Sequence, residues 1–279
     1  MTNDILYAYG FDGTPDAIDA EVQQIGPTDF NVVIIPFIHF HDGGSLFLND
    51  KAVGDLEPGW AEAIQKLKTG YSVAKRVLVS IGGADNANDW TLLGEDMATV
   101  VGNLVEFAQT NGIDGFDFDF EGGTDGYGEQ SKKTLAQATR MLKEKMPSAI
   151  VTAPPYEDPD FWAGAGGVLA QAAAGGDTPF DWWNVQFYAG DGVVPPGEYV
   201  STFEQWSQAV GAKGNGVADG NAFVAPGTNG ADMSAADFAQ GLSDVRQAHP
   251  SISGGFVWEY TSLNAPAAGW ASAISGALD

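Results

Sequence analysis

Short apolar segments recur along the whole chain, and longer amphipathic segments separate them. Eight of the apolar segments have the length and the β-branched or aromatic content of buried strands. They cover residues 5–9, 31–37, 76–81, 115–120, 149–153, 183–188, 221–225 and 253–260. The clearest helical patterns lie at residues 95–109, 130–145, 201–210 and 234–248. Eight β/α units in 279 residues predict an α/β protein with the (β/α)8 TIM barrel fold.

Residues typical of helix ends support these boundaries. Gly112, Pro147 and Pro250 each follow a helical pattern, and Ser234 stands where a helix N-cap is expected. No Pro- or Ser-rich linker interrupts the series, so we expect one barrel domain over residues 1–279. A doubly wound open sheet is the alternative, but residues 10–15 after the first strand do not form a Gly-rich dinucleotide-binding turn.

Charge and cysteine content exclude several classes of partner and site. The net charge of −25 would repel nucleic acid and anionic membrane surfaces. The chain has no cysteine, which excludes disulfides, zinc thiolates and a thiol nucleophile. We expect no cofactor and a monomer.

No run of 18 or more apolar residues is present, so a membrane span is not predicted. The chain enters its first apolar segment without a preceding basic region. We therefore expect an extracellular protein if a secretion signal has been removed, and a cytoplasmic one otherwise.

The fourth apolar segment carries the most acidic pattern in the chain. Strand side chains alternate, so Asp117, Asp119 and Glu121 share one face while three phenylalanines share the other. In a barrel the phenylalanines would pack against outer helices and the acids would point into the lumen near its mouth. Carboxylates this close cannot all stay ionised, so at least one should hold a proton near neutral pH.

Two other interpretations of this segment remain open. It could be a solvated edge strand with an acidic outer face, although the Phe-rich opposite face argues against that. It could also bind Mg²⁺ or Ca²⁺, which prefer clustered oxygen ligands. Asp114 should face away from the other three acids, which leaves few convergent ligands. His39 and His41 could form a metal-binding pair, but no third ligand stands at a recognisable spacing, so we expect no metal site.

Residues 114–121, Asp-Gly-Phe-Asp-Phe-Asp-Phe-Glu, resemble the D-G-x-D-x-D-x-E motif on the fourth strand of family 18 glycoside hydrolases. Residues 80–83, Ser-Ile-Gly-Gly, resemble the S-x-G-G element of the same family one strand earlier. Residues 151–155 with 159–160, residues 186–188 and residues 254–258 resemble later elements of the compact, hevamine-like chitinases, in the same order. Ala189 departs from the Asn that those relatives often have, and Trp258 comes one residue early.

The resemblance implies roles for four catalytic residues. Glu121 would protonate the glycosidic oxygen and then activate water, and Asp119 would orient the 2-acetamido group of the substrate. Asp117 would hold or exchange a proton with Asp119. Tyr188 would donate a hydrogen bond to the acetamido oxygen. The nucleophile would be that oxygen of the substrate itself.

The resemblance also implies a sugar-binding surface. Trp258 would form its apolar floor, and Gln186 shares strand parity with Tyr188, so both can point inward. Tyr7, Tyr9, Phe37 and Gly83 complete the candidate set.

The implied activity is endo-hydrolysis of β-1,4-linked N-acetylglucosamine, as in chitin, with retention of configuration. Between residues 225 and 254 there is room only for a loop and one helix, so the α+β insertion of many exo-acting relatives is absent. The alternatives are an endo-β-N-acetylglucosaminidase acting on N-glycan cores and, in a different class, a carbohydrate-binding lectin on the same barrel. The lectin would require loss of the acid, and Glu121 is present.

Overall fold

The computed structural model describes residues 2–84, 86–173, 179–188, 192–211 and 223–279. The strands are β1 (Asn3–Tyr7), β2 (Val32–His41), β3 (Ser45–Leu48), β4 (Lys51–Ala52), β5 (Arg76–Gly82), β6 (Gly115–Asp119), β7 (Ile150–Ala153), β8 (Trp182–Gln186), β9 (Val224–Asn229) and β10 (Gly254–Trp258). The helices are α1 (Pro15–Ile25), α2 (Trp60–Thr69), α3 (Ala87–Glu95), α4 (Met97–Asn111), α5 (Glu129–Lys145), α6 (Pro159–Ala163), α7 (Val168–Ala172), α8 (Tyr199–Gly211), α9 (Ala235–Ala248) and α10 (Ala267–Leu278).

Eight parallel strands form a closed barrel, which confirms the predicted fold. They pair in the order β1-β10-β9-β8-β7-β6-β5-β2, and β1 also pairs with β2, so this sheet has no free edge. The fourth barrel strand is β6, between β5 and β7. In a parallel barrel the strand C-termini meet at one mouth, which is where functional side chains collect.

The sequence did not predict the hairpin formed by β3 and β4. The second barrel strand extends past Phe37 to His41 and there pairs antiparallel with β3, which in turn pairs with β4. His39 and His41 lie beyond the predicted end of this strand at residue 37 and belong to its extension, where they pair with β3.

Two further boundaries differ from the predicted ones. The segment predicted at 221–225 is strand Val224–Asn229, and residues 221 and 222 lie outside the described part of the chain. It continues through Pro226 and Gly227, beyond the predicted end at residue 225. The helix predicted at 95–109 is Met97–Asn111; Glu95 ends the preceding helix, and Asp96 between them caps the second helix by accepting a hydrogen bond from the Thr99 amide.

The core has two parts, as expected for a barrel. Phe116, Phe118 and Phe120 are buried between the sheet and the surrounding helices. A smaller cluster fills the lumen, and its fully or nearly fully buried members are Ile5, Tyr7, Val32, Ile34, Leu78, Trp182, Ala225 and Phe256. The alternation predicted for β6 is therefore present, with phenylalanines outside and acids inside.

The connection from β9 to β10 is described throughout, and α9 is its one helix. This agrees with the predicted absence of an inserted subdomain. Ser234 caps α9 by accepting a hydrogen bond from the Asp237 amide, and Gly112 ends α4 in the left-handed conformation at φ 71°. Within the ranges given above, the helices are too short or too polar to span a bilayer.

We predict that Gly227→Ala destabilises the barrel by about 1–3 kcal/mol, because the new methyl group would overpack the lumen. A Cβ at residue 227 would lie 1.9 Å from the ring of Phe256. Urea denaturation measures the loss. The matched control is Gly269→Ala in α10, where a Cβ meets nothing within 4 Å, and it should be neutral or slightly stabilising. Equal stability of the two variants would show that the lumen can relax around the methyl group.

Candidate active site

Three carboxyl side chains line the inner face of β6 and the residues that follow it. Their burial decreases toward the mouth: Asp117 is 0% exposed and Asp119 is 4% exposed, while Glu121 is half-buried. Asp114 lies at the other end of the strand, where it pairs with Lys68 at 2.7 Å and accepts a hydrogen bond from the Val77 amide. The row therefore consists of the three acids that the alternation places together.

Asp117 is held by donors from four other strands. Tyr7 and Ser80 each donate a hydroxyl hydrogen bond of 2.9 Å to Oδ2. Thr152 donates to Oδ1 at 2.5 Å, and the Asn184 amide donates to the same oxygen at 3.3 Å. Burial raises the pKa of Asp117, and the four hydrogen bonds oppose that rise.

Asp119 is the middle acid of the row, and it is almost fully buried. Burial first, and then the charges of Glu121 and Asp117, raise its pKa well above the ordinary value. A hydrogen bond to Glu121 adds to the rise, as expected when Asp119 is the donor. The surroundings of Asp119 therefore favour its protonated form.

Gln186 connects the row to the neighbouring strands. Its amide nitrogen donates to the Pro154 carbonyl at 2.8 Å, which fixes the side chain. The same nitrogen lies 3.4 Å from Oδ1 of Asp119 and 3.4 Å from Oε1 of Glu121. It thus supports the two acids nearest the mouth.

Tyr188 follows β8 on the same face as Gln186 and lies beside the acids. Burial, followed by the charges of Asp119 and Glu121, raises its pKa well above the ordinary value, so the phenol stays protonated. Among the residues that the structure describes, none hydrogen bonds to its hydroxyl.

Aromatic rings form the floor beside the row. Trp258 is half-buried and packs at 5.6 Å from the ring of Tyr7 and at 5.7 Å from that of Phe37. The Pro36–Phe37 and Trp258–Glu259 peptide bonds are cis. Gly83, at φ 84°, leaves room for Phe37, since a Cβ there would lie 2.8 Å from its ring. The last glycine of the S-x-G-G element therefore leaves the space that the Phe37 ring occupies in the aromatic floor.

Two of the candidate sugar-binding residues, Tyr7 and Tyr9, do not form part of the exposed surface of the aromatic floor. Tyr7 is only 1% exposed, beneath Trp258, and its hydroxyl holds Asp117. Tyr9 is 39% exposed and lines a cavity beside β2. Trp258, Phe37, Gln186 and Gly83 are at the row itself. Ala189 lies outside the described residues.

The histidines contact neighbouring side chains. His39 pairs with Asp89 at 2.8 Å, His41 stacks on Phe47 with centroids 3.9 Å apart, and His249 lies 3.1 Å from a carboxylate of α8. Within the described ranges, no group of three or more His, Asp or Glu side chains has an arrangement that could hold a metal ion.

Sequence analysis missed three of the side chains that hold Asp117. Ser80, Thr152 and Asn184 all lie in segments that the analysis considered, but no role was assigned to them. The inward direction of Asn184 could have been predicted, because it precedes Gln186 by two residues in the same strand and such residues point to the same side. The pairing of Ser80 and Thr152 with Asp117 follows from the strand register, which the closed barrel sets.

Comparison with known proteins identifies related families and folds. The model of the family "Glycosyl hydrolases family 18" matches residues 7–229. A chitinase of that family from Pseudoalteromonas aurantia is similar in structure, with 20% identity, a TM-score of 0.76, and coverage of 99% of this chain and 100% of its own. A chitinase from Aspergillus fumigatus has 19% identity and a TM-score of 0.70 over the whole of both chains. No curated protein sequence matches this chain.

The catalytic domain of a hyperthermophilic chitinase from Pyrococcus furiosus is also similar, with 13% identity and a TM-score of 0.72. The match covers 100% of this chain and 95% of that one. At these identities the solved structures establish the fold. Because the family match ends at residue 229, Trp258 lies outside it.

We predict that Asp119→Asn gains stability relative to the unchanged protein as the pH rises. A raised pKa means that the stabilising contribution of Asp119 is complete below about pH 4, the ordinary value, and is lost as the pH rises through the folded-state pKa. The amide does not titrate. Urea denaturation across a pH series measures the difference in free energy of unfolding.

Asp125→Asn is the matched control with the opposite sign. Hydrogen bonds from Ser131 and the Gln130 amide lower the pKa of Asp125, so its contribution is present above the ordinary pKa and lost in acid. The free energy of unfolding of Asp125→Asn should therefore decrease relative to that of the unchanged protein as the pH rises. A difference for Asp119→Asn that stays constant with pH would mean that folding does not raise the pKa of Asp119.

Proposed function

Because the chain belongs to family 18 of the glycosyl hydrolases, we propose that it hydrolyses β-1,4-linked N-acetylglucosamine chains such as chitin, with Glu121 as general acid and base. The observation that carries the proposal is the row of three carboxyls on one strand, buried at Asp117 and Asp119 and open to the mouth at Glu121. The reaction class, glycoside hydrolysis, follows from the family.

The arrangement favours a nucleophile supplied by the substrate. Most retaining glycosidases use two carboxyl groups about 5 Å apart on opposite sides of the bond, one of them an ionised nucleophile. Here the carboxyl next to Glu121 is Asp119, which lies on the same strand; its raised pKa favours the protonated form, which is a poor nucleophile. Glu259, at the end of β10, accepts hydrogen bonds from the Thr261 amide and hydroxyl at 2.9 and 2.7 Å.

The proposed reaction has two steps. In the first, Glu121 gives its proton to the glycosidic oxygen while the 2-acetamido oxygen of the substrate attacks the anomeric carbon and displaces the leaving sugar. The product is a cyclic oxazolinium ion. In the second step Glu121 takes a proton from water, and the water opens the ring from the face that the leaving group vacated. Two inversions give net retention.

Asp119 and Asp117 would manage the charge on the acetamido group. An ionised Asp119 would stabilise the positive charge of the oxazolinium, and this requires that its proton move to a neighbour. Asp117 can accept it, because burial already raises the pKa of that group. The donors around Asp117 support either protonation state, since hydroxyl groups can reorient.

Tyr188 and Trp258 would hold the reacting sugar. The Tyr188 hydroxyl would donate to the acetamido oxygen and keep it near the anomeric carbon. Trp258 would provide the apolar surface below the sugar ring. The position of both residues beside the acids supports these roles.

The proposed substrate and mode of cleavage have separate support. The similar solved structures are named as chitinases. The connection between β9 and β10 contains one helix and no further subdomain, which leaves that side of the barrel mouth low and suits cleavage within a chain. Assays of chitin oligomers beside a high-mannose glycoprotein separate this proposal from an enzyme acting on N-glycan cores.

We predict that Glu121→Gln lowers kcat on chitin oligomers on the order of 100-fold or more while binding is retained, because glutamine cannot give or take the proton. Steady-state kinetics and calorimetric titration with an oligomer measure the two quantities. Glu129→Gln, at an exposed acid in the first turn of α5, is the matched control and should keep full activity.

Tyr188→Phe and Asp119→Asn should also lower kcat, since both act on the acetamido group in the transition state. A Glu121→Gln variant with full activity would remove Glu121 from the proposed role. Loss of oligomer binding in that variant would instead show that Glu121 positions the substrate.

We predict that the first product has the β configuration and that polymers without the acetamido group, chitosan and cellulose, resist cleavage. NMR of a freshly cleaved oligomer, read before mutarotation, gives the configuration. A stable thiazoline analogue of the cyclic intermediate should inhibit, because it presents the same charge and shape. An initial α-anomer, or equal turnover of cello-oligomers, contradicts nucleophilic attack by the substrate.

A further inference from the structure

Two side chains of β8 make a chain of hydrogen bonds that ends at Asp117 in the barrel lumen. Trp182 and Asn184 stand two residues apart on that strand, and they are 5% and 0% exposed. The indole nitrogen Nε1 of Trp182 lies 2.8 Å from Oδ1 of Asn184. The amide nitrogen Nδ2 of Asn184 lies 3.3 Å from Oδ1 of Asp117 and 3.2 Å from the Tyr7 hydroxyl.

The contact with Trp182 fixes the direction in which the Asn184 amide faces. An indole N–H can only donate a hydrogen bond, so the end of the amide that meets it must be the carbonyl oxygen. The NH2 group then faces Asp117 and Tyr7, and it carries two hydrogens for the two oxygens within reach. A reversed amide would place an N–H against the indole N–H and a carbonyl oxygen against the Asp117 carboxyl.

This direction also determines what the hydroxyl of Tyr7 does. That hydroxyl accepts from Asn184, and its own hydrogen points to Oδ2 of Asp117 at 2.9 Å. Ser80 differs, because its hydroxyl lies 2.9 Å from the same Oδ2 and 3.5 Å from the main-chain carbonyl of Asp117, so it can turn from one to the other. Asn184 is therefore a donor that cannot reverse while Trp182 holds it, whereas Ser80 is one that can.

The ring of Trp182 is held in turn at the N-terminal end of the barrel. The guanidinium of Arg76 lies over that ring, 5.4 Å from its centroid. One nitrogen of the same guanidinium donates to Oδ1 of Asn3 on β1 at 2.7 Å. The indole is thus fixed between a cation on one side and the Asn184 carbonyl at its nitrogen.

We propose that Trp182 and Asn184 are positioning residues for the reaction. They hold an amide donor on Oδ1 of Asp117, so that Asp117 takes up the proton of Asp119 at Oδ2, where Ser80 can turn away. In this step the O–H bond of Asp119 breaks, a new O–H bond forms on Asp117, and the negative charge moves to Asp119. The inference rests on the proposed function, in which Asp117 accepts that proton.

The pH dependence of the reaction should report this arrangement. Among the described residues, the titratable groups that interact with Asp117 are Tyr7 on β1, Tyr188 after β8 and Asp119, with Glu121 beyond Asp119. Burial raises the pKa of both phenols, so they stay protonated near neutral pH. Hydrogen bonds lower the pKa of Asp117, so the loss of a donor favours its protonated form. The two aspartates should then take up their second proton at a higher pH.

The test is the pH profile of kcat on a chitin oligomer for Trp182→Phe, which removes the indole donor and keeps an aromatic ring in the lumen. The acidic limb should shift to higher pH by about 0.5–1 unit, the effect of one hydrogen bond on a carboxylate. Trp183→Phe is the matched control. Trp183 is fully buried beside Trp182, and its indole nitrogen has no hydrogen-bond partner in the described part of the chain, so the limb should stay in place.

Asn184→Ala separates positioning from packing. If Trp182 acts through Asn184, the alanine variant shifts the limb at least as far, and adding Trp182→Phe to it causes no further shift. Additive shifts in the double variant would overturn the proposal. A Trp182→Phe protein whose stability falls while its pH profile is unchanged would make Trp182 a structural residue, and would overturn it as well.

A second measurement does not depend on activity. Carbon-13 NMR follows the titration of the aspartate carboxyls, and Asp117→Asn identifies the signal of Asp117. The pKa of Asp117 should rise in Trp182→Phe and stay unchanged in Trp183→Phe. If the protein cleaves no oligomer, the proposed function fails, while this shift still supports the hydrogen-bond direction set by Trp182. An unchanged Asp117 titration in Trp182→Phe overturns the inference whether or not the protein is active.

Discussion

The buried carboxylate of Asp117 is the interaction on which the barrel interior depends. It is fully buried on β6 and accepts hydrogen bonds from Tyr7 on β1, Ser80 on β5, Thr152 on β7 and Asn184 on β8. A charged group without such partners would cost several kcal/mol or more in a low-dielectric interior. The hydrogen bonds that satisfy Asp117 also connect β6 with four other strands. They therefore help to fix the geometry of the barrel mouth above.

The decrease in burial along β6 gives the three acids different properties. Asp117 is surrounded by donors, whereas burial and the charges of two neighbouring acids raise the pKa of Asp119. Glu121 is half-buried at the mouth. Alternation of side chains along one strand, combined with a gradient of solvent access, thus gives the three acids different surroundings.

The local sequence was sufficient to predict those parts of the structure that follow from the alternation of polar and apolar side chains. The alternating acids and phenylalanines of β6 specified both faces of that strand, because residues two apart must point the same way. The partners of Asp117 were not predictable in that way: Tyr7 lies 110 residues from it in sequence, and the closure of the barrel brings them together. The extension of β9 through Gly227 was missed for a similar reason, since the ring that requires the glycine comes from the next strand.

The acids and the aromatic floor meet through backbone contacts as well as side chains. The Gly83 amide donates to the Asp119 carbonyl at 2.9 Å, and the open space at Gly83 accommodates the ring of Phe37. Asn49 in the hairpin region then holds the backbone of Phe37 from the other side. Asp119, Gly83, Phe37 and Asn49 are thus joined by successive contacts, and the aromatic floor is held against the acidic row from the side of the hairpin.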